Sequence, residues 1–237
     1  MESLGIHEFR RYLDLLARSP EETRILRSLL PVTISRFFRN RSVFDVLSAR
    51  ILPELAARGI ACSAWSAACA SGEEAYSLRI AWEELPGGKP PFSVLATDID
   101  PASLARAAEG IYGESSLREA PKGVREKYFV REDDSFRIRE ELKAGVEFRF
   151  HDLLSGESPG RFELVLCRNS AFTYFHPEAR IRAVRAVRDS LSPFGWLVLG
   201  RTEKLPEGAS PYFEPAFPAE KIFRFRETAR SAAEAAE

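Results

Sequence analysis

Three short runs in this chain carry residue types that can do chemistry together. The first is WSAACASGEEAYS, residues 65 to 77, where an apolar run meets a helix-like run through a small-residue turn containing Ser71 and Gly72. Small residues let a backbone approach a bound molecule closely, and Glu73 and Glu74 place negative charge at the start of the following helix. A diphosphate is repelled there, whereas a cation is favoured. The second run, FSVLATDID, ends in Asp98 and Asp100, and Gly72 and Asp98 lie 26 residues apart. A carboxylate ending a second strand can accept both hydroxyls of a ribose; the alternative is that both aspartates cap a helix opening at Pro101. The third run, FELVLCRN, ends in Arg168 and Asn169. A cationic, hydroxyl-bearing nucleoside fits these positions, and S-adenosylmethionine fits better than NAD or ATP.

The surrounding pattern shows what must position these runs. From residue 60 strand and helix candidates alternate: a strand at about 61–67, a helix at about 72–85, a strand at 92–100, a helix from Pro101 to Glu109, a strand at 162–169, a helix at about 177–190 and a strand at 195–200. This alternation predicts an α/β fold with a doubly wound, Rossmann-like sheet covered on both faces, with ligands at the carboxyl ends of its strands. Residues 1–58 read as a helical N-terminal cap, with a capping-box start at Ser19, Pro20 and Glu22. Residues 59–226 form the ligand-binding domain. Within it YFV (128–130), FRI (136–138) and VEFRF (146–150) are expected to make a small antiparallel insertion at about 120–150. Residues 227–237 lack large apolar side chains and are expected to fray.

Composition narrows the function class. The 237 residues include 34 basic and 35 acidic side chains, so no global field draws the chain to nucleic acid or anionic lipid. Cys62, Cys69 and Cys167 are an odd number in apolar settings, which favours buried thiols over a disulfide framework. Charges at His7, Glu8, Arg10, Arg11 and Asp14 break the first twenty residues, so neither a signal peptide nor a membrane span is expected and the cytoplasm is the default. His7, His151 and His176 are isolated and no cysteine pair has ligand spacing, which argues against a metal. The turn after the first strand lacks GxGxxG, which argues against a dinucleotide enzyme.

Taken together, TISRFFR (33–39), WSAACASGEEAYS, LATDID (95–100), IYGESSLRE (111–119), VEFRFHDLL (146–154), FELVLCRN and YF (174–175) resemble the CheR family, in the family's order and over roughly residues 20–225. Those proteins are S-adenosylmethionine-dependent methyltransferases that esterify glutamate side chains on chemotaxis receptors. The resemblance implies that Ser35 and Arg39 reach the methionine end of the cofactor, Glu73 its amino-acid end, Asp98 the ribose, and Asp152 with Leu153 the adenine edge. Arg168 and Asn169 would line the cofactor from the strand before them, Arg39 would also orient the acceptor carboxylate, and Tyr174 would stand near the transferred methyl. S-adenosylhomocysteine would be the product.

The chain also departs from the pattern. Thr33 and Ser35 stand where the family has Asn and Thr, and Asp152 where it usually has Asn. SAFT separates Asn169 from Tyr174 where three residues are usual, and GRTE (200–203) replaces GHSE. The cap is shorter than in members that act on receptors, and the charged turn REDD is short, which resembles members that do not grip a receptor's C-terminal tether pentapeptide. The expected partner is a protein substrate such as a receptor cytoplasmic helix, with no nucleic acid, no membrane insertion and no tether binding. The competing readings are a methyltransferase of the same fold acting on a small molecule or a non-receptor protein, and a cofactor-binding module without catalysis.

Overall fold

The computed structural model describes residues 8–22, 35–155, 157–206 and 208–226, the side chains of Ala171 and Tyr174 excepted. The expected frayed tail and Thr33 lie outside the described residues. The chain divides into two compact units, Met1–Ile34 and Ser35–Glu237. In the first, α1 (Phe9–Arg18) is followed by a cap in which the Ser19 hydroxyl accepts from the N–H of Glu22 at 3.1 Å, as the sequence predicts. The Tyr12 hydroxyl donates to Glu22 at 2.8 Å within the same unit.

The second unit is built on a sheet of seven strands. Helical turns α2 (Arg41–Val46) and α3 (Leu52–Ala56), joined by a π turn at Leu47–Ile51, precede β1 (Cys62–Ala67). Then come α4 (Glu73–Glu83), β2 (Phe92–Asp98) and α5 (Pro101–Glu109). An excursion through β3 (Ile111–Gly113), α6 (Val124–Tyr128), β4 (Phe129–Glu132), β5 (Ser135–Ile138) and α7 (Glu140–Lys143) leads to β6 (Val146–Phe150). The chain continues with β7 (Phe162–Cys167), the one-turn α8 (Ala171–Tyr174), α9 (Pro177–Asp189), β8 (Leu191–Leu199), β9 (Phe213–Phe217) and β10 (Ile222–Phe225). The sheet order is β6-β2-β1-β7-β8-β10-β9, parallel from β6 to β8, with β10 antiparallel to β8 and the edge strand β9 antiparallel to β10. Strand order reverses between β1 and β7, which places the switch point beside the central strand.

Alternation along the strands separates two cores. Ala64, Leu164, Leu166 and Val198 face α2, α3, α4 and the excursion, whereas Trp65, Val165, Cys167 and Leu197 face Ala183, Val184, Ala186 and Val187 of α9. Both faces of each central strand are covered, so the strands read as near-continuous apolar runs. Residues 37–56, read in the sequence as part of a separate cap, supply Phe37, Phe44, Leu47, Ile51, Leu52 and Leu55 to the first of these cores.

One expected strand is in a different place. VEFRF was expected in the small insertion, but β6 pairs in parallel with β2, with Asp98 opposite Phe150, and forms the edge of the main sheet. Its faces explain the placement: Val146 and Phe148 pack on the first core, while Glu147, Arg149 and Phe150 are exposed. The small antiparallel sheet instead has the order β3-β5-β4, with Ile111–Gly113 as its third strand.

Candidate functional site

Register brings the chemistry-bearing turns to one level. Ala67 of β1 pairs with Thr97 of β2 on one side and with Cys167 of β7 on the other, so the turns after all three strands open at the same end of the sheet. The turn after β1 is bent hard: Ala68, Ala70 and Gly72 have φ of 57°, 48° and 88°. Positive φ in two alanines is costly and persists only where neighbours hold it. Those neighbours are identifiable. Asp98 Oδ2 accepts from the N–H of Ala70 at 2.9 Å, the Cys69 N–H donates to the carbonyl of Thr97 at 2.9 Å, and the Tyr112 hydroxyl donates to the carbonyl of Ser71 at 2.8 Å. Burial pushes the Tyr112 phenol up, so it stays a donor.

The two aspartates divide their roles. Asp100 is the N-cap of α5, accepting from the N–H groups of Ala102 and Ser103 and from the Ser103 hydroxyl. Asp98 does not cap a helix. Its Oδ1 accepts from the Asp100 N–H at 2.9 Å and its Oδ2 from Ala70, one protein donor on each oxygen. A carboxylate oxygen has two acceptor positions, so each retains one for a hydroxyl.

Glu73 and Glu74, adjacent on α4, meet different surroundings. Glu74 is consumed by the scaffold: Oε1 accepts from Ser66 Oγ at 2.7 Å and Oε2 from Arg168 Nη1 at 3.0 Å. Glu73 is 3% exposed; its Oε1 accepts from Ser116 Oγ at 3.4 Å, while Oε2 has no hydrogen-bond partner among the described residues. Burial pushes its carboxyl up, offset in part by its own N–H and by the hydroxyls of Ser35, Ser71 and Ser116. A buried, incompletely satisfied carboxylate beside three hydroxyls suits an ammonium group that brings its own charge and donors.

Segment 35–40 is fastened over this site. Phe37 N–H donates to the carbonyl of Ser116 at 2.9 Å, Phe38 N–H to Ser77 Oγ at 2.9 Å, and Asn40 N–H to Glu119 Oε2 at 3.0 Å. The Phe37 ring stands edge-on to Tyr112 and Phe129. The structure thus brings Ser35 to Glu73 and sets Arg39, half-buried, on the turn clamped by Arg168. Arg168 Nη2 donates to the Arg39 carbonyl and to Asn40 Oδ1, both at 2.9 Å. Its guanidinium was expected to line a ligand; its hydrogen bonds go to the scaffold.

Asp152 Oδ1 accepts from the Leu154 N–H at 2.8 Å in the turn after β6, and Leu153 beside it is buried. Asn169 has φ 53° and donates its N–H to Glu203. Tyr174 ends α8, and the placement expected for its ring lies outside the described residues. Two neighbours of the site went unassigned in the sequence. Ser116 sits in IYGESSLRE and Glu203 in GRTE; both runs were visible, but only the fold shows which side chains turn inward. Cys69 is buried, and burial raises its thiol well above the usual range. Cys62, Cys69 and Cys167 are all buried, as expected. Two clefts of about 420 and 530 Å³ lie at the opposite, amino-terminal ends of the strands, around Ser93 and Gly145, away from these residues.

The chain has recognisable relatives. Residues 33–220 match the family model described as CheR methyltransferase, SAM binding domain. It is 38% identical to a chemotaxis protein methyltransferase of Listeria innocua over 180 residues, 75% of this chain and 68% of that one. It is 34% identical to a chemotaxis protein methyltransferase of Vibrio anguillarum over 185 residues, 75% of this chain and 66% of the relative. Among solved structures, it is 15% identical, with a TM-score of 0.41, to an O-methyltransferase family protein of Burkholderia thailandensis, over 67% of this chain and 36% of that one.

Proposed function

The chain belongs to the CheR methyltransferase family, and from that premise we propose that it esterifies glutamate side chains of a protein, a chemotaxis receptor's cytoplasmic helices being the expected acceptor. S-adenosylmethionine is its cofactor; when bound, it supplies an activated methyl on a sulfonium and leaves as the neutral thioether S-adenosylhomocysteine. The observation that carries the reading is the buried Glu73 carboxylate with one oxygen unpartnered among the described residues. Its charge and the hydroxyls of Ser35 and Ser116 fit the cofactor's ammonium. The spare acceptor positions of Asp98 fit the ribose hydroxyls. Asp152 offers an acceptor to the adenine amino group beside the apolar wall of Leu153, and Asn169 would line the cofactor from the end of β7.

An acceptor glutamate is already ionised near neutral pH, so its attack needs no strong general base. What this chain must supply is alignment and exclusion of water. Arg39, held by its carbonyl on the Arg168 clamp, is proposed to orient the acceptor carboxylate, and Tyr174 to stand near the transferred methyl. Among the described residues no helix is long and apolar enough to cross a membrane.

The test uses methyl-labelled S-adenosylmethionine and a purified cytoplasmic fragment of a chemotaxis receptor. Label released as methanol in mild alkali is the expected result, because glutamyl methyl esters hydrolyse there while ethers and N-methyl groups do not. Alkali-stable label would overturn glutamate as acceptor. No binding of S-adenosylhomocysteine by the folded protein would remove the cofactor assignment itself.

A further inference from the structure

A buried carboxylate outside the proposed ligand contacts joins the ends of two strands. Glu203 is 2% exposed, and four donors converge on it. Its Oε1 accepts from the N–H of Ser170 at 3.0 Å and from Thr173 Oγ1 at 2.7 Å. Its Oε2 accepts from the N–H of Asn169 at 2.9 Å and of Gly200 at 2.6 Å. The left-handed Asn169, φ 53°, turns its own N–H and the next one toward a single point, an anion-binding concavity built from backbone. Gly200 is required for this approach, since a Cβ there would lie 2.5 Å from Glu203 Oε2 and 2.8 Å from the Asn169 nitrogen.

We propose that Glu203 is a positioning residue for methyl transfer: it fastens the run from Asn169 to Thr173 at both ends, and so fixes the backbone of α8, up to its last residue Tyr174, against the carboxyl ends of β7 and β8. The inference rests on the methyltransferase reading above. Three of the four donors are backbone groups at the carboxyl ends of β7 and β8. The fourth, the Thr173 hydroxyl, is a side chain immediately before Tyr174 and can be removed without touching the backbone.

The test has three arms. Titration with S-adenosylhomocysteine first establishes the cofactor site in the unchanged protein. Amide hydrogen exchange then reads the clasp without reference to activity. In Glu203→Gln at least one backbone N–H faces another donor, and exchange at Asn169, Ser170 and Gly200 is expected to quicken by about tenfold or more. Thirdly, labelled methyl transfer to the receptor fragment is followed in Thr173→Val and Thr173→Ser. The valine variant is expected to lose about tenfold in kcat while its S-adenosylhomocysteine Kd stays within about twofold, and serine is expected to restore kcat, because misplacement of a reacting group lowers rate without lowering binding. Unchanged exchange in Glu203→Gln overturns the clasp. Unchanged kcat in Thr173→Val, or a loss that serine does not restore, overturns its role in positioning. Failure of the unchanged protein to bind S-adenosylhomocysteine overturns the cofactor reading instead, and the exchange arm still decides the clasp.

Discussion

Arg168 Nη1 donates to Glu74 Oε2 at 3.0 Å, with the arginine side chain 1% exposed and the glutamate side chain 16% exposed. The same guanidinium holds the Arg39 carbonyl and Asn40, so one buried cation ties β7, α4 and the turn of segment 35–40 together. Removing one partner of such a pair leaves the other charge buried and uncompensated.

Arg168→Met is therefore expected to destabilise the protein by about 3–5 kcal/mol, because the Glu74 carboxylate is stranded. Arg168→Met with Glu74→Gln is expected to recover part of that loss. Denaturant unfolding of the two single variants and the double variant gives the coupling energy; additive losses would show that the pair does not act as a unit.

Glu73 gives a pH dependence with a definite sign. Its folded carboxyl is raised by burial, so between the unfolded and folded values the native state holds more protons than the unfolded chain. Stability of the cofactor-free protein contributed by this group is thus greater at low pH and falls as pH rises through that window. Binding of S-adenosylhomocysteine, which brings an ammonium, runs the other way and weakens as Glu73 becomes protonated. Titrations in buffers of different ionisation enthalpy should show proton release at pH values within the window. In Glu73→Gln that release is expected to vanish and affinity to fall by about tenfold or more, with no loss of thermal stability at neutral pH.

Asp98 and Asp100 separate by their partners. Asp100→Ala removes the cap of α5 and is expected to cost about 0.5–2 kcal/mol while leaving S-adenosylhomocysteine affinity within about threefold. Asp98→Ala is expected to weaken that affinity by about tenfold or more, since it removes both the spare acceptors and the tie to Ala70. Paired calorimetric and thermal measurements distinguish them. Equal affinity losses in the two variants would reject Asp98 as the ribose ligand.

The β4–β5 hairpin turns on Asp133 and Asp134 alone, with Glu132 opposite Ser135. No complex in the micromolar range with a receptor tether pentapeptide is expected by calorimetric titration. Saturable micromolar binding would refute this.

The parts of this molecule legible in sequence are those where local chemistry and tertiary context agree. The run at 62–67, the cap of α5 at Asp100 followed by Pro101, and the 3.6-residue period of α9 each state their own structure. The strand VEFRF was misplaced because a short alternating run satisfies an antiparallel ribbon or a parallel edge equally well, and only contact with β2 decides. The last two strands, β9 and β10, were not read at all; Pro215 lies inside the first of them and neither is long. Among candidate site residues, Asp98 ends β2 and Glu73 opens α4 after the turn from β1, positions that the sequence pattern marks. The scaffold duties of Arg168 and Glu203 did not, because a charge at a strand end reads the same whether it meets a ligand or a neighbouring turn.

The turn after β1 holds Ala68, Ala70 and Gly72 at positive φ. A cradle already bent by Asp98 and Tyr112 leaves little chain to be ordered when a nucleoside arrives. Capture is then expected to proceed at the pace of encounter rather than of rearrangement. The clock for repeated turnover would then lie in how long spent S-adenosylhomocysteine lingers before fresh cofactor replaces it.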